Sequence, residues 1–352
     1  MSISPTFESL RILLTSATPA NGRHRRRIKW IGPDQSLAIA RNQQNELELF
    51  ILGPQLVALD QNVRERLVHD TWRGERGETF AANRLWLPAG DHFDAAAATV
   101  LIELLDHGRT HNMAGAFRRT EPLIALVLDE AAAENAALTG LAGELLVLLA
   151  LMRAPTAPPS QALLACWLGS DRSSRDFQLG SVGVEVKTST TSSSRHHIEG
   201  WYQVEPGVAA DGSVESELYL LSLGIRWLQT SSEGHSIESL IQTIQEFLPQ
   251  SLRLDLIRCV RDYGDRNFQI DDQGKVGQTA LRRPFDTTFE RLYDIADDRI
   301  RIPRSSDLSS FQELVHDSVK FQIQLPERVR GDRNPVVGLP SIVAAILNQA
   351  SA

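Results

Sequence analysis

Only Gly180 and Ser181 stand between Leu179 and Val182, and that spacing constrains the chain more than any other feature. The surrounding stretch, DFQLGSVGVEVKTST over residues 176–190, alternates apolar and polar side chains. A two-residue loop with glycine first matches a type II′ turn, whose twist suits an antiparallel hairpin. Pairing then follows by counting: 179 opposes 182, 178 opposes 183, 177 opposes 184 and 176 opposes 185. Alternation sends Phe177, Leu179, Val182, Val184 and Val186 to one face. Asp176, Gln178, Glu185 and Lys187 fall on the other.

Asp176 and Glu185 thereby become cross-strand neighbours, with Cβ atoms on the order of 5 Å apart. Gly183 beside them is expected to leave open space. Like charges directly opposite one another destabilise a sheet. Two readings compete: a half-exposed hairpin with a solvated charged face, or a site where a divalent cation relieves the repulsion. Two carboxylates and a carbonyl suit Mg²⁺, and Lys187 reaches a water on such an ion. The opposed acids favour the metal.

A third acid lies in TGLAGELLVLLALM, a stretch apolar almost all round and so expected to be a buried helix. Glu144 there is expensive unless paired or bound to a metal. The alternative places it near the helix N-terminus, where the dipole favours a carboxylate.

The length of 352 residues suggests two domains or one elaborated one, and a 42% hydrophobic content supports a sizeable core. No uninterrupted apolar run reaches the ~18–20 residues of a membrane span. The opening MSISPTFESLRILLTSATP has an early acid and no basic stretch before its short apolar piece, unlike a secretory leader. Cys166 and Cys259 lie far apart and form no disulfide or zinc pattern. A cytoplasmic location without membrane is expected.

The net charge of −8 argues against indiscriminate coating of nucleic acid. GRHRRRIKW nevertheless concentrates Arg23, Arg25, Arg26, Arg27 and Lys29. That run reads equally as a solvated loop and as a phosphate contact. Only four of the 36 basic residues are lysines: Lys29, Lys187, Lys275 and Lys320. A lysine in so arginine-rich a chain points to a need for a compact ammonium.

Residues 28–90 read as β-rich, with short apolar runs between turn signals. HFDAAAATVLIELLDHG reads as a helix. PLIALVLDEAAAENAALTG is expected to hold a strand-like piece before alanine-rich chain, with Thr139 capping a helix over 140 to about 152. A short helix near Ser160, a strand-like HHIEGWYQVEP, a strand ELYLLSLGIRW and two amphipathic helices follow. VVGLPSIVAAILNQA closes the chain as a terminal helix. Three regions are expected: a β-rich 1–130, a core 131–270 and a C-terminal extension 271–352 read as helical.

Together these residues resemble the PD-(D/E)XK phosphodiesterase superfamily, the fold of many restriction endonucleases. Its order is an acid on a helix, an Asp on a strand, then E/D-x-K on the next strand. Glu144, Asp176 and Glu185-Val186-Lys187 match it. GLAGELLVL, DF…GVEVKTS, RHHIEGWYQVEP and LYLLSLGIR are similar to the bacterial group named for this motif, associated with restriction or phage defence. Arg175 stands where the name has proline.

The resemblance implies an α/β restriction-endonuclease-like core, a mixed sheet flanked by helices. It implies that Asp176, Glu185 and the Val186 carbonyl hold Mg²⁺, for which Mn²⁺ substitutes. Glu144 would serve a second metal or a bound water, Lys187 the attacking water, and Gln203 would complete the site. Arg195 and one histidine, His196, are candidates for phosphate contact; as strand neighbours His196 and His197 point to opposite faces. No H-E-x-x-H, G-x-S-x-G or Walker sequence is present. Three functions follow: a DNA endonuclease of a restriction-type system with methyltransferase, helicase or ATPase subunits, an inactive nuclease fold serving as a scaffold, or a repair or recombination nuclease that shares the chemistry and differs in partners.

Overall fold

The structure is a computed structural model that describes residues 5–19, 26–32, 35–43, 45–73, 79–88, 91–110, 112–169, 175–208, 212, 214–228, 234–263, 268, 270–277, 279–309, 311, 313–315 and 318–351. The chain forms two compact units, Met1–Asn135 and Ala136–Ala352.

The first unit runs α1 (Phe7–Thr15), β1 (Lys29–Ile31), β2 (Leu37–Arg41), β3 (Leu47–Leu52), α2 (Gln61–Arg66), β4 (Leu67–Arg73), β5 (Thr79–Leu87), α3 (Asp91–Thr110) and the first part of α4 (Met113–Arg153). Its five strands form an antiparallel sheet in the order β1-β2-β3-β5-β4. Alternation in β3 sends Leu47, Leu49 and Ile51 into a core with Leu37, Ile39 and helix residues such as Leu101, Leu104 and Phe117. The β-rich reading of 28–90 agrees with this sheet.

The strand-like piece expected in PLIALVLDE is absent, because α4 runs through it with Pro122 inside. Phe117, Ile124, Leu128 and Ala131 are buried at helical spacing. An apolar run alone does not separate a strand from a buried helix, and the alanine-rich chain that follows propagates the helix. Thr139 accordingly caps nothing. Among the described residues α4 alone is long and apolar enough to cross a membrane, yet 72% of its apolar window is buried inside the protein.

The second unit adds α5 (Ser160–Cys166), β6 (Phe177–Leu179), β7 (Val182–Ser189), β8 (Arg195–Ile198), β9 (Glu217–Trp227), α6 (Ile237–Phe247), α7 (Gln250–Tyr263), β10 (Phe285–Asp294), α8 (Ser305–Leu308), β11 (Phe321–Gln324), β12 (Val336–Val337) and α9 (Leu339–Ala350). Its sheet is mixed, ordered β12-β10-β9-β7-β6, with β7 and β9 parallel. One face packs on helices: Val182, Val184, Val186, Leu221 and Leu223 join Leu145, Leu148, Ile241, Ile257 and Ile346. On the other, Leu218 and Leu220 join Tyr293, Ile198 and Ile323. Both faces of β9 are thus covered, as its near-continuous apolar sequence requires.

Residues 271–352 are mixed rather than helical, since β10, β11 and β12 lie there. FDTTFERLYD has the β-branched and aromatic content of a strand, and β10 pairs with β9 along its length. HHIEGWYQVEP is a strand only over Arg195–Ile198; a 3₁₀ turn, Trp201–Gln203, follows.

Candidate active site

The hairpin forms with the counted register: Phe177 opposes Val184, Gln178 opposes Gly183 and Leu179 opposes Val182. Gly180 has φ +59° and Ser181 has no positive φ, the pattern of a type II′ turn. The ladder stops one pair short of Asp176 and Glu185. Asp176 instead precedes β6 and its Oδ2 accepts the Val186 N–H at 2.6 Å. Its own carbonyl accepts the Leu168 N–H at 2.8 Å, and Trp167 bridges Phe177. The chain after α5 therefore closes on the hairpin and delivers an indole to the site.

Glu185 is only 4% exposed, although alternation placed it on a polar face. Its Oε1 lies 3.1 Å from Lys187 Nζ, two residues along the same strand face. Glu144 is 3% exposed. Both its oxygens are engaged: Trp167 Nε1 donates to Oε2 at 2.7 Å and Tyr263 Oη donates to Oε1 at 2.8 Å. A Cβ on Gly169 would stand 1.8 Å from Oε2, so only glycine fits against this carboxylate.

Electrostatics joins these groups into one cluster. Burial pushes Glu144 up to about 7, with Trp167 and Tyr263 opposing and Glu185 adding to the rise. Burial and then Asp176 push Glu185 up to about 8, against the pull of Lys187. Asp176 is held well above the usual carboxylate range by burial and by Glu144. Tyr263 is driven up by burial and by Glu144, so it stays a neutral donor. Glu185 and Lys187 thus pair on one strand face, Asp176 bonds the residue between them, and Glu144 lies within electrostatic reach of all three.

Gly183 does not border open space. A Cβ there would meet Glu215 Oε1 at 2.5 Å and Arg175 Nε at 2.8 Å. Arg175 is buried and forms a two-point ion pair with Glu215, Nε–Oε1 at 2.9 Å and Nη2–Oε2 at 2.5 Å. It also donates to the carbonyls of Tyr202 and Glu205. The arginine in the proline position anchors the 201–207 segment behind the acids.

The other expected site residues are placed elsewhere. Gln203 Oε1 accepts the Glu199 N–H at 2.9 Å, bracing its own turn. His196 is buried, not presented to a phosphate; its Nε2 is 2.7 Å from Ser222 Oγ, and burial and then Lys187 push it down to about 4. Arg195 and His197 are the exposed members of that strand. Arg26 turns onto the fully buried Glu48, which also takes Arg84 at 3.2 Å, so its charge is spent inside the first unit. Arg27 is exposed and donates to Thr18 Oγ1 at 3.0 Å. Arg25 lies outside the described residues.

Trp167, Gly169, Tyr263 and the Arg175–Glu215 pair were missed by the sequence reading. The faint signals were polar tips on buried elements, the indole in ACWLGS and the tyrosine ending α7.

The donor set is chemically apt for a hard divalent cation, being carboxylate oxygens and a strand carbonyl. Three acids beside one ammonium also carry a surplus of negative charge that such a cation would offset. Among the described residues, however, no three His, Cys, Asp or Glu side chains are close enough to hold one metal ion together.

Residues 7–264 match a family model described as "Putative PD-(D/E)XK family member, (DUF4420)". The chain belongs to this family. Its superfamily is that of the PD-(D/E)XK nucleases, which typically use divalent metals. No curated protein and no solved structure matches the chain.

Proposed function

We propose that this PD-(D/E)XK family member hydrolyses phosphodiester bonds of DNA. The observation that carries the reading is the buried strand face on which Glu185 lies 3.1 Å from Lys187 and Asp176 accepts the N–H of Val186 between them, with buried Glu144 coupled to it electrostatically. We infer Mg²⁺, or Mn²⁺ in its place, held by Asp176, Glu185 and the Val186 carbonyl, with Glu144 toward a second ion or a bound water. When bound, the ion supplies Lewis acidity at the phosphate and a more acidic water.

The chain's own residues do the remainder. Trp167 and Tyr263 fix both oxygens of Glu144. The Val186 N–H fixes Asp176. Lys187 has a side chain 17% exposed, enough to meet substrate at the surface of the cluster. Its compact ammonium orients the attacking water and offsets charge on the scissile phosphate. The inferred setting is cytoplasmic restriction or phage defence with methyltransferase, helicase or ATPase subunits, on the strength of the sequence resemblance. The competing reading, an inactive scaffold, is favoured by the absence of a three-acid metal group among the described residues.

Lys187 separates the two. Lys187→Arg keeps the charge but replaces the ammonium with a planar, more basic fork. Both Lys187→Arg and Lys187→Ala should lose ~10²–10⁴ in DNA cleavage with Mg²⁺ while folding persists. Near-normal cutting by Lys187→Arg refutes the catalytic role, and phage protection surviving Lys187→Ala supports the scaffold.

A further inference from the structure

β8 and β11 form a two-stranded antiparallel ribbon separate from both five-stranded sheets. Its faces differ in chemistry. Inward, Ile198 and Ile323 pack with Leu218, Leu220 and Tyr293, and His196 bonds Ser222 of β9. Outward, Arg195 stands opposite Gln324 and His197 opposite Gln322, and all four are exposed. Arg195 Nη2 donates to Gln324 Oε1 at 3.0 Å. At the ribbon's end Lys320 pairs with Glu199, which also lies 3.4 Å from His197 Nε2.

The ribbon is seated beside the candidate site. Ser222, beneath His196, is the register partner of Lys187 on β7. Five connecting residues, 190–194, lead from the end of β7 into β8. In a chain of net charge −8, this surface carries Arg195 and Lys320 against one carboxylate, Glu199. Its balance is positive in a chain that is acidic overall, which suits a polyanion.

We propose that the β8–β11 ribbon seats duplex DNA at the candidate site, entering the major groove with Arg195, His197, Gln322 and Gln324 toward base edges and Lys320 toward the backbone. This rests on the nuclease reading and adds the form of the substrate. A B-form major groove, about 12 Å wide, admits a two-stranded ribbon. Arginine matches guanine O6 and N7, and glutamine matches adenine N6 and N7, each with two bonds. The deep, narrow major groove of A-form RNA excludes such a ribbon. Single strands are gripped by stacking on aromatic rings, and the outward ribbon positions hold no Phe, Tyr or Trp.

The test uses the full-length chain carrying Lys187→Ala, so that bound DNA stays intact, and a pool of 30-bp duplexes with randomised centres. Adding Lys320→Ala should flatten the slope of log Kd against log salt by about one. Arg195→Ala should weaken duplex binding roughly tenfold. Gln322→Ala with Gln324→Ala should change the bases enriched from the pool. All four positions are exposed, and unchanged melting temperatures verify folding. Unchanged affinity, slope and enrichment in these variants overturn the ribbon, as does equal or tighter binding of single-stranded DNA or duplex RNA. A chain that binds no duplex overturns it too. Cleavage by the wild-type chain, followed in parallel, separates the two ideas. Cutting with no ribbon dependence removes the ribbon alone, and ribbon-dependent binding without cutting removes the nuclease alone.

Discussion

Buried acids occur in both units, and they are balanced differently. In the first unit Glu48 faces Arg26 and Arg84, and Asp94 faces Arg41 at 2.5 Å. Arg41 also holds the carbonyls of Leu14 and Asn45. Beside the candidate site the second unit does the same, with Arg175 on Glu215. At the site itself Glu144, Asp176 and Glu185 share one Lys187. Burial is common to all these acids. The paired ones each face an arginine, whereas three acids at the site share one lysine, and protons or a cation must make up the difference.

The comparison breaks most visibly under substitution. Arg41→Ala leaves Asp94 buried without its partner and should cost roughly 3–5 kcal/mol in urea unfolding. Asp176→Asn removes one charge from the surplus and should raise the stability of the metal-free chain. Comparable losses from both would erase the distinction between balanced and unbalanced acids.

Cation binding tests the same surplus directly. Mg²⁺ or Mn²⁺ at a hundred times its Kd should stabilise the wild-type chain by about 2.7 kcal/mol, and Asp176→Asn should abolish the response. A melting temperature indifferent to millimolar Mg²⁺ would count heavily against the site.

Proton binding sharpens the same contrast. Glu144 near 7 and Glu185 near 8 lie above their ordinary 4.5, so the folded chain holds more protons than the unfolded chain between those values. Metal-free stability should therefore fall as pH rises from about 4.5 to about 8 and level off beyond. The slope from each group reaches at most about 1.4 kcal/mol per pH unit. Glu185→Gln should flatten the upper part of the fall, as measured by urea midpoints across the range. Stability rising through this window would contradict the surplus.

The smallest effects lie in the arginine run. Arg26→Ala should lower the stability of the first unit by less than Arg41→Ala, because Arg84 remains on Glu48. Arg27→Ala should stay within about 0.5 kcal/mol. DNA binding that drops for Arg26→Ala without any loss of stability would return that residue to the nucleic-acid surface.

The hairpin was legible in the sequence because its partners are a few residues apart and a two-residue turn leaves one register. The order of Glu144, Asp176, Glu185 and Lys187 was legible as a resemblance. The helices α6 and α7 were legible through apolar periodicity, α3 through its start and stop signals, and β9 as a short apolar run. The apolar stretch inside α4 was not, since a continuous hydrophobic run has no period to read. Arg26 was read as a surface charge because nothing near it in the sequence announces Glu48, 22 residues away.

Sequence alone therefore determined the local matters: where the chain turns, which hairpin side chains share a face, and which residues are available for chemistry. Covalent spacing and the periods of strand and helix suffice for these. Only the tertiary structure decided what each charge meets. Tyr263 reaches Glu144 across 119 residues, and Arg195 reaches Gln324 across 129. It also turned His196 inward and filled the space beside Gly183 with Arg175. Such partners are selected by packing, where a buried polar group must find another wherever the fold brings one near, and sequence distance carries no trace of that choice.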